Sequence, residues 1–256
     1  MVDRSFADLE LARLYDALNP WGPSDDFYLG LVMSAPAVLD IGCGTGRLLR
    51  GARAAGHTGR LTGLDPAAAM LVQARTAAPD VEWVLGDFES SRWSAEFGLA
   101  VMTGHAFQEL LGDEDVRRLL AGVRQALAPR GRFVFETRNP AARAWQEWTP
   151  DRVHEIADPD GGEIEVRHEV VGPVRGDRVT FTETFAGARF ERARVSRSTL
   201  RFLTASAVDA LLGDAGFRVV ARYGDWGRGA YDPGVSREIV TVAVAEVDVE
   251  ADVGVG

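Results

Sequence analysis

The sequence of 256 residues contains no lysine, so all 28 of its basic residues are arginine. Without lysine, a protein can neither form a lysine Schiff base with a substrate nor bind phosphate as a P-loop does. The single cysteine, Cys43, excludes an internal disulfide and a cysteine-rich zinc site, which favours a reducing compartment. Because no apolar run of about 18 residues and no signal-peptide pattern occur, we expect a cytoplasmic protein that does not use a membrane.

Positive charge is also in deficit, because 38 acidic residues outnumber the 28 arginines and give a formal net charge of -10. This charge repels a phosphate backbone, and no dense arginine patch with interleaved aromatics offsets it, so we expect no nucleic-acid partner. A hydrophobic content of 46% over this length is enough for one α/β domain that carries an insertion.

Strand-like and helix-like segments alternate over residues 36–140, which is the pattern of a parallel sheet with helices on both faces. The predicted strands are 36–42, 60–65, 81–86, 98–103 and 131–137, and the predicted helices between them are 46–56, 67–78 and 113–128. The domain is completed by residues 204–246, which contain a predicted helix and two strands: 205–215, 217–225 and 236–246.

The regions around this core have a different pattern. Residues 1–35 are predicted to form a helical lid, with one amphipathic helix at 5–18 and a second near 24–34. Residues 141–203 are predicted to form an antiparallel insertion with three alternating segments: 163–172, 178–187 and 190–203. The acidic and repetitive ending, 247–256, predicts a disordered tail.

The stretch "VLDIGCGTGRLL", residues 38–49, joins the first predicted strand to the first helix of the core through three closely spaced glycines. In an open parallel sheet, ligands bind beyond the carboxyl ends of the strands, where Gly42, Gly44 and Gly46 lie. A loop without side chains can bring backbone N–H groups close to a ligand, and the helix that follows adds a partial positive charge. The alternative is a tight turn that binds nothing.

Two acids strengthen the ligand hypothesis. Asp65 ends the second strand about twenty residues after the glycines, where a carboxylate can accept hydrogen bonds from ribose hydroxyls. Asp87 and Phe88 end the third strand, where they can accept from an adenine amino group and stack on the base. Simpler interpretations are that Asp65 caps the next helix and that Asp87 belongs to an ordinary turn.

The glycine spacing bears on the class of cofactor. A dinucleotide loop reads G-x-G-x-x-G, with the third glycine under a pyrophosphate, but here that position is Arg47 and the pattern is G-x-G-x-G. A nicotinamide dehydrogenase is therefore disfavoured, and the loop suits a nucleoside ligand without a pyrophosphate.

Four segments at these spacings, "VLDIGCGTGRLL", "LTGLDPAAAML", "VEWVLGDFES" and "LAPRGRFVFETRNP", resemble the successive motifs of the class I S-adenosylmethionine-dependent methyltransferases. The resemblance covers about residues 36–140. It implies a doubly wound, Rossmann-like α/β fold with a mostly parallel seven-stranded sheet whose last strand is antiparallel. It also implies S-adenosylmethionine as cofactor, with S-adenosylhomocysteine as product.

In that family the glycine loop holds the methionine part, the acid after the second strand holds the ribose, and the acid after the third lies beside the adenine. The resemblance implies that Asp40 supports the loop and that Met70 or Phe88 flanks the base. The implied cofactor set is Asp40, Gly42, Gly44, Asp65, Pro66, Met70, Gly86, Asp87, Phe88 and Thr103.

The N-terminal region resembles the lid of family members that act on small molecules, in which a tyrosine often closes over the cofactor. Tyr15 is the candidate here, with burial in the core as the alternative. Trp21, Phe27 and Tyr28 are candidates for the wall of an acceptor pocket, although such aromatics more often serve packing.

Methyl transfer from a sulfonium needs positioning and exclusion of water, and a base only where the acceptor must lose a proton. His105, just past the fourth strand, is the predicted base or acceptor-positioning residue, with a purely local hydrogen-bonding role as the alternative. Arg138 and Trp145 are predicted to hold an anionic or aromatic acceptor, although Arg138 could instead pair with Glu136 or Glu109. With no lysine and no pair of acids after the fourth strand, we expect no metal.

The predicted function is therefore methyl transfer from S-adenosylmethionine to an oxygen or nitrogen of a small-molecule acceptor. The alternative is a protein of the same fold that binds this cofactor but catalyses another reaction or serves as a binding protein. The sequence does not indicate an oligomeric state.

Overall fold

A computed structural model describes residues 2–88, 90 and 93–246, and the predicted tail at 247–256 lies outside the described residues. In chain order the strands are β1 (Ala37–Ile41), β2 (Arg60–Asp65), β3 (Glu82–Leu85), β4 (Phe97–Met102), β5 (Leu127–Arg138), β6 (Val153–Ala157), β7 (Glu163–Val170), β8 (Arg178–Gly187), β9 (Arg194–Arg201), β10 (Phe217–Tyr223) and β11 (Glu238–Ala245). The helices are α1 (Arg4–Ala7), α2 (Leu9–Ala12), α3 (Tyr15–Leu18), α4 (Pro23–Val32), α5 (Arg47–Ala54), α6 (Ala68–Ala77), α7 (Asp113–Ala126) and α8 (Ala205–Asp214).

The central sheet has seven strands in the order β10-β11-β5-β4-β1-β2-β3. Strands β1 to β5 run parallel to one another, whereas β11 is antiparallel to both β5 and β10. The predicted mostly parallel sheet with an antiparallel last strand is confirmed. The order reverses beside β1, so the loop after β1 lies at the switch point where such sheets bind ligands.

Two hydrophobic layers cover the sheet, as expected for strands that are apolar along their whole length. On one face, α7 and α8 pack on the sheet through side chains such as Leu120 and Leu211. On the other face, α4 and α5 pack through Leu31 and Leu49. The doubly wound arrangement leaves the carboxyl ends of β1, β2 and β4 uncovered by these layers.

The prediction of one helix at 5–18 is wrong, because three short helices, α1 to α3, occupy this segment. Asp8 has an extended backbone (φ -84°, ψ 121°), and its side chain accepts a hydrogen bond from the Glu10 N–H at 2.9 Å. An aspartate that bonds its own backbone in this way ends one helix and starts the next. Because the helix is broken here, Leu11 and Leu14 pack against strands β6 to β8 while Ala12 packs against α6.

Residues 153–201 form a second, antiparallel sheet in the order β6-β7-β8-β9, which confirms the predicted antiparallel insertion. The sequence did not indicate β6, because only Ile156 of its five residues is buried and the alternation is too short to recognise. The last strand begins at Arg194 and not at 190, since Phe190 is buried in a turn that leaves β8.

The small sheet packs over the N-terminal helices and meets the loop after β4. Leu11 and Leu14 contact its apolar face, and the Ser5 N–H donates to Ser196 Oγ at 2.9 Å. The side chain of Gln108 donates to the Arg201 carbonyl oxygen at 2.9 Å. The insertion and the N-terminal helices together therefore cover one side of the carboxyl edge of the central sheet.

Among the described residues, no helix is both long and apolar enough to cross a bilayer.

Candidate functional site

A cleft of about 1100 Å³ opens at the carboxyl edge of the central sheet. One part of it is lined by the loops that follow β1, β2, β3 and β4, and another by the N-terminal segment and by α7. Ten predicted cofactor residues lie on this lining: Tyr15, Gly42, Gly44, Asp65, Pro66, Met70, Gly86, Asp87, Phe88 and Thr103. Loops from four separate strands thus bring together residues that are far apart in the sequence.

The glycine loop has a left-handed backbone at each of its three glycines, with φ values of +68°, +56° and +73° at Gly42, Gly44 and Gly46. At Gly44 an added Cβ would meet nothing within 4 Å, so the backbone there faces open cleft. At Gly46 an added Cβ would lie 2.2 Å from Trp83 Cη2. Glycine at position 44 therefore keeps the loop accessible to a ligand, and glycine at position 46 lets α5 begin against β3.

Asp65 anchors this loop from the end of β2. Its Oδ2 accepts from the Gly44 N–H at 2.8 Å, and its Oδ1 accepts from the Ala67 N–H at 2.7 Å. Burial raises the pKa of the Asp65 carboxyl, and the hydrogen bonds from Ala67 and Gly44 oppose that rise. The carboxylate therefore supports the turn into α6 and also lines the cleft.

Asp87 and Phe88 lie on the cleft after β3, as predicted. Asp87 accepts from the Ser90 N–H at 3.2 Å, so it takes part in the turn that was the simpler interpretation while also lining the cleft. The ring of Phe88 covers Gly122 of α7, and Met70 lines the cleft from α6. An aromatic and a thioether thus provide apolar cleft surface next to the two carboxylates.

A smaller pocket of about 70 Å³ adjoins the cleft behind the glycine loop. Asp40 lines it, and the buried Asp40 Oδ1 has no hydrogen-bond partner among the described residues. Burial, and then the nearby carboxylates of Asp65 and Glu136, raise the pKa of the Asp40 carboxyl well above its ordinary value. An unpaired buried carboxylate oxygen is costly unless a donor or cation reaches it.

Tyr15 lines both the cleft and the smaller pocket, and its hydroxyl lies over Gly104 at the end of β4. Burial raises the pKa of Tyr15 to about 12, so the hydroxyl stays protonated and can donate a hydrogen bond. Arg47 lines the smaller pocket and pairs with Asp25 of α4 at 3.0 Å. The residue that replaces the third glycine of a dinucleotide loop therefore ties α5 to the N-terminal region.

The predicted base, His105, lies beside the cleft and not on its lining, which passes from Gly104 to Ala106 in the described residues. Its Nε2 lies 2.9 Å from Glu238 Oε2, and its backbone N–H donates to Glu136 Oε1 at 2.8 Å. This arrangement corresponds to the local hydrogen-bonding role that was the alternative for this histidine.

Two predicted acceptor aromatics lie away from the cleft. The Trp21 ring covers Gly51 of α5, and its Nε1 donates to Asp26 at 2.7 Å. Phe27 is buried on the α4 face of the sheet, with its ring 5.9 Å from that of Trp226. Because α4 must cover the sheet with one apolar side, the Phe27 ring serves packing. Trp21 precedes α4, and its partly exposed ring lies on α5.

The remaining predicted acceptor residues are Tyr28, Arg138 and Trp145. The Tyr28 hydroxyl donates to Glu136 Oε2 and lines the smaller pocket. Arg138 donates from Nη1 to Gln108 Oε1 at 3.1 Å, with its guanidinium 5.5 Å from the Trp148 ring centroid. Trp145 packs edge-on against Phe202, with ring centroids 4.7 Å apart. Among the described residues, Arg138 is thus held by an amide and an aromatic, and Glu136 and Glu109 act on it through longer-range electrostatics without an ion pair.

The structure places three acids on the cleft that were not predicted as site residues: Asp3, Glu109 and Asp115, of which Asp115 pairs with Arg118. Glu109 lines it from the 3₁₀ turn after β4, and Asp3 lines it from the segment before α1. Burial raises the pKa of Glu109 to about 7, with the carboxylates of Asp3 and Glu183 adding to the rise and Arg138 opposing it. An acid just after the fourth strand could have been recognised in "HAFQEL", whereas nothing in the sequence marks Asp3.

The described part of the chain contains no group of three or more histidine, cysteine, aspartate or glutamate side chains arranged to hold a metal ion. Cys43 is buried against Leu71, Ala74 and Trp83, and burial raises the pKa of its thiol well above the ordinary value. A buried neutral thiol of this kind serves packing and is not a nucleophile.

The fold and the cleft are those of an α/β protein that binds a nucleoside. Comparison with known proteins identifies the class of protein more closely. Residues 38–131 match a family described as a methyltransferase domain. Over 155 residues the chain is 32% identical to 2-phytyl-1,4-naphtoquinone methyltransferase of Thermosynechococcus vestitus, and the match covers 54% of this chain and 67% of that protein. Trans-aconitate 2-methyltransferase of Klebsiella pneumoniae is 32% identical over 124 residues, which span 48% of this chain and 46% of that enzyme.

A solved structure of an S-adenosylmethionine-dependent methyltransferase from Clostridium acetobutylicum has the same fold, with a TM-score of 0.75 over 92% of this chain and 98% of that one, at 15% identity. The chain belongs to the class I S-adenosylmethionine-dependent methyltransferases. Its cofactor is S-adenosylmethionine.

The residues present fit this cofactor. The open backbone at Gly44 provides a surface that a side chain would obstruct, and Asp65 and Asp87 supply acceptors for hydroxyl and amino groups. The unpaired Asp40 Oδ1 in the smaller pocket is suited to an ammonium group such as that of a methionine moiety. The charge and the shape of the site therefore fit a nucleoside that carries an amino acid with an ammonium group.

Proposed function

We propose that this chain transfers a methyl group from S-adenosylmethionine to a nitrogen or oxygen of a small-molecule acceptor. The observation that carries the proposal is the single continuous cleft, in which the glycine loop, Asp65 and Asp87 lie on the same lining as Asp3, Phe6 and Glu109. One part of this cleft fits the cofactor, and the rest provides room and polar groups for a second molecule.

Within this proposal the cofactor is held by groups from four loops. Gly42 and Gly44 offer backbone surface, Asp65 accepts from the ribose hydroxyls, and Asp87 accepts from the adenine amino group, with Asp40 facing the methionine ammonium group. When bound, S-adenosylmethionine supplies an electrophilic methyl group on a positively charged sulfur. Tyr15, between the two pockets, is positioned to donate a hydrogen bond near their junction.

The chain's further contribution is to orient the acceptor and to limit water. The N-terminal helices and the small sheet cover one side of the cleft, tied together by the Ser5 to Ser196 hydrogen bond. Holding two reactants in a protected cleft contributes several kcal/mol to such displacements through proximity alone, of the order of 7–11 kcal/mol in the most favourable cases. We propose that residues 1–35 and 141–203 act as lid and acceptor-side wall.

The test is binding of S-adenosylhomocysteine, measured by calorimetry and by thermal stabilisation, with NAD as the comparison ligand. Asp65→Asn keeps the side-chain size but can no longer accept with both oxygens, so we expect affinity for S-adenosylhomocysteine to fall about 10- to 100-fold. Asp209→Asn on the exposed side of α8, which removes one partner of Arg222, is the matched control and should leave affinity unchanged.

Transfer itself is measured with methyl-labelled S-adenosylmethionine and a panel of small amines and alcohols. Failure of the wild-type protein to bind S-adenosylhomocysteine, or equal affinity of the Asp65→Asn variant and wild type, would show that the cofactor site is misplaced.

A further inference from the structure

Neighbouring residues hold the turn that carries Glu109 in place, whereas the Glu109 carboxylate forms no ion pair with any described residue. The preceding residues, Phe107 and Gln108, are 2% and 1% exposed, and Gln108 bonds both Arg201 and Arg138. The Glu109 side chain is accessible from the cleft that it lines, while the protein around it excludes enough water to raise its pKa. No hydrogen bond or ion pair links its carboxylate to another residue in the described ranges. A rigid turn thus presents a free carboxylate to the second molecule of the cleft.

The surroundings of Glu109 carry more negative than positive charge. Asp3 lines the same cleft, and its buried Oδ2 lacks a hydrogen-bond partner among the described residues. Glu183 on β8 adds a third carboxylate, paired with His168 Nε2 at 3.0 Å. One nearby cation, Arg138, already bonds Gln108 and lies over Trp148. Two further arginines, Arg118 and Arg197, line the cleft, and Arg118 pairs with Asp115. A cation delivered by a ligand would relieve this excess and satisfy both unpaired carboxylates.

We propose that Glu109 binds the ammonium group of the acceptor and accepts its proton, so that this chain is an amine N-methyltransferase. The inference rests on the function proposed above and specifies its acceptor. The proton moves from the acceptor nitrogen to a Glu109 oxygen, which frees the nitrogen lone pair. That lone pair forms the bond to the methyl carbon as the carbon–sulfur bond breaks, and the bonding electrons remain on sulfur. Glu109 then returns its proton to solvent.

The ionisation state of Glu109 sets the pH range in which it can bind and deprotonate an amine. With its pKa raised to about 7, Glu109 is neutral below that pH and can neither pair with an ammonium group nor accept its proton. Amine binding should therefore weaken as pH falls through 7. The charged groups that act on Glu109 are Asp3 before α1, Glu183 on β8, which pairs with His168, and Arg138 on β5. Asp115 and Arg118 of α7 and Arg197 of β9 line the same cleft.

The test uses the full chain saturated with S-adenosylhomocysteine and pairs of probes that differ only in the polar group: cyclohexylamine with cyclohexanol, and 2-phenylethylamine with 2-phenylethanol. At pH 8 we expect each amine to bind about tenfold or more tightly than its alcohol, as a charge-assisted hydrogen bond implies. Glu109→Gln should abolish this preference. Glu169→Gln, on the exposed face of β7, should retain it.

His168→Gln, which removes the partner of Glu183, is a further control: the loss of amine binding near pH 7 should persist in it and disappear in Glu109→Gln. With labelled cofactor, Glu109→Gln should lower kcat/KM for the methylated amine about 10²- to 10⁴-fold and remove the acidic limb of its pH profile. Affinity for S-adenosylhomocysteine should not change.

Equal binding of amine and alcohol, including no binding of either, would overturn the inference, as would an amine preference that survives in Glu109→Gln. Transfer of label to alcohols alone would also overturn it while leaving the proposed function intact. Failure of the wild-type chain to bind S-adenosylhomocysteine would instead refute the proposed function.

Discussion

Gly44 and Gly46 share a left-handed backbone but differ in the space around them, so alanine should act differently at the two positions. Their φ values are +56° and +73°. A methyl group at 44 would project into open cleft, whereas one at 46 would lie 2.2 Å from Trp83 Cη2 and 2.8 Å from Trp83 Cζ3. We therefore expect Gly44→Ala to affect ligand binding mainly and Gly46→Ala to affect folding mainly.

The magnitudes follow from two separate costs. A left-handed residue with a Cβ loses about 1–2 kcal/mol, which applies to both variants. Forcing a methyl group into the packed ring of Trp83 adds about 1–3 kcal/mol at position 46 only. The free energy of unfolding should then fall by about 1–2 kcal/mol in Gly44→Ala and by about 2–5 kcal/mol in Gly46→Ala. For a chain of this size, each kcal/mol lowers Tm by about 2–4 °C.

The assay is urea and thermal denaturation of both variants, together with calorimetric titration of S-adenosylhomocysteine. Gly44→Ala should lower affinity for this ligand at least about tenfold, since close approach to the backbone is lost. Adding Trp83→Leu should remove the additional loss of unfolding free energy in Gly46→Ala and leave the loss in Gly44→Ala unchanged. A double-mutant cycle measures this difference. Equal destabilisation of the two glycine variants, or a loss at 46 that is independent of Trp83, would refute this reasoning.

Two further predictions concern buried groups near the cleft. Because burial raises the pKa of Asp40, the native state binds its proton more strongly than the unfolded state, and the charged form costs more stability as pH rises. Asp40→Asn should therefore raise Tm more at pH 8 than at pH 5 while weakening S-adenosylhomocysteine binding; a lower Tm at pH 8 would contradict this. Tyr28→Phe removes a donor to the buried Glu136 carboxylate and should lower the free energy of unfolding in urea by about 1–3 kcal/mol, and a negligible change would show that the hydroxyl is dispensable.

The core of the fold was predictable because its signals are local and repeated. Strand β2 begins and ends at the predicted residues, and every residue after Arg60 is buried, as expected for an interior parallel strand. The predicted cofactor residues lie on one cleft for a topological reason. The carboxyl ends of parallel strands meet at the same edge, so motifs that each follow a strand converge.

The periphery was less predictable because its structure depends on partners that are distant in the sequence. The pattern at 5–18 is compatible with one helix, and Asp8 breaks it so that successive turns can face α6 and the small sheet. Trp21 and Phe27 were predicted at an acceptor pocket from their residue type alone. The Phe27 ring lies where α4 turns its apolar side, a direction that packing on the sheet sets, whereas the Trp21 ring lies over Gly51 of α5.

The sequence by itself determined the class of protein and predicted the cofactor end of the site, because glycine spacing and strand-ending acids carry their chemistry in a few adjacent residues. Only the tertiary structure decided the surroundings of the proposed acceptor end. It placed the His105 ring against Glu238, engaged Arg138 with Gln108, and left Glu109 facing the cleft beside Asp3. Whether a carboxylate is paired or free depends on side chains from β5, the N-terminal segment and the small sheet, and folding alone brings these together.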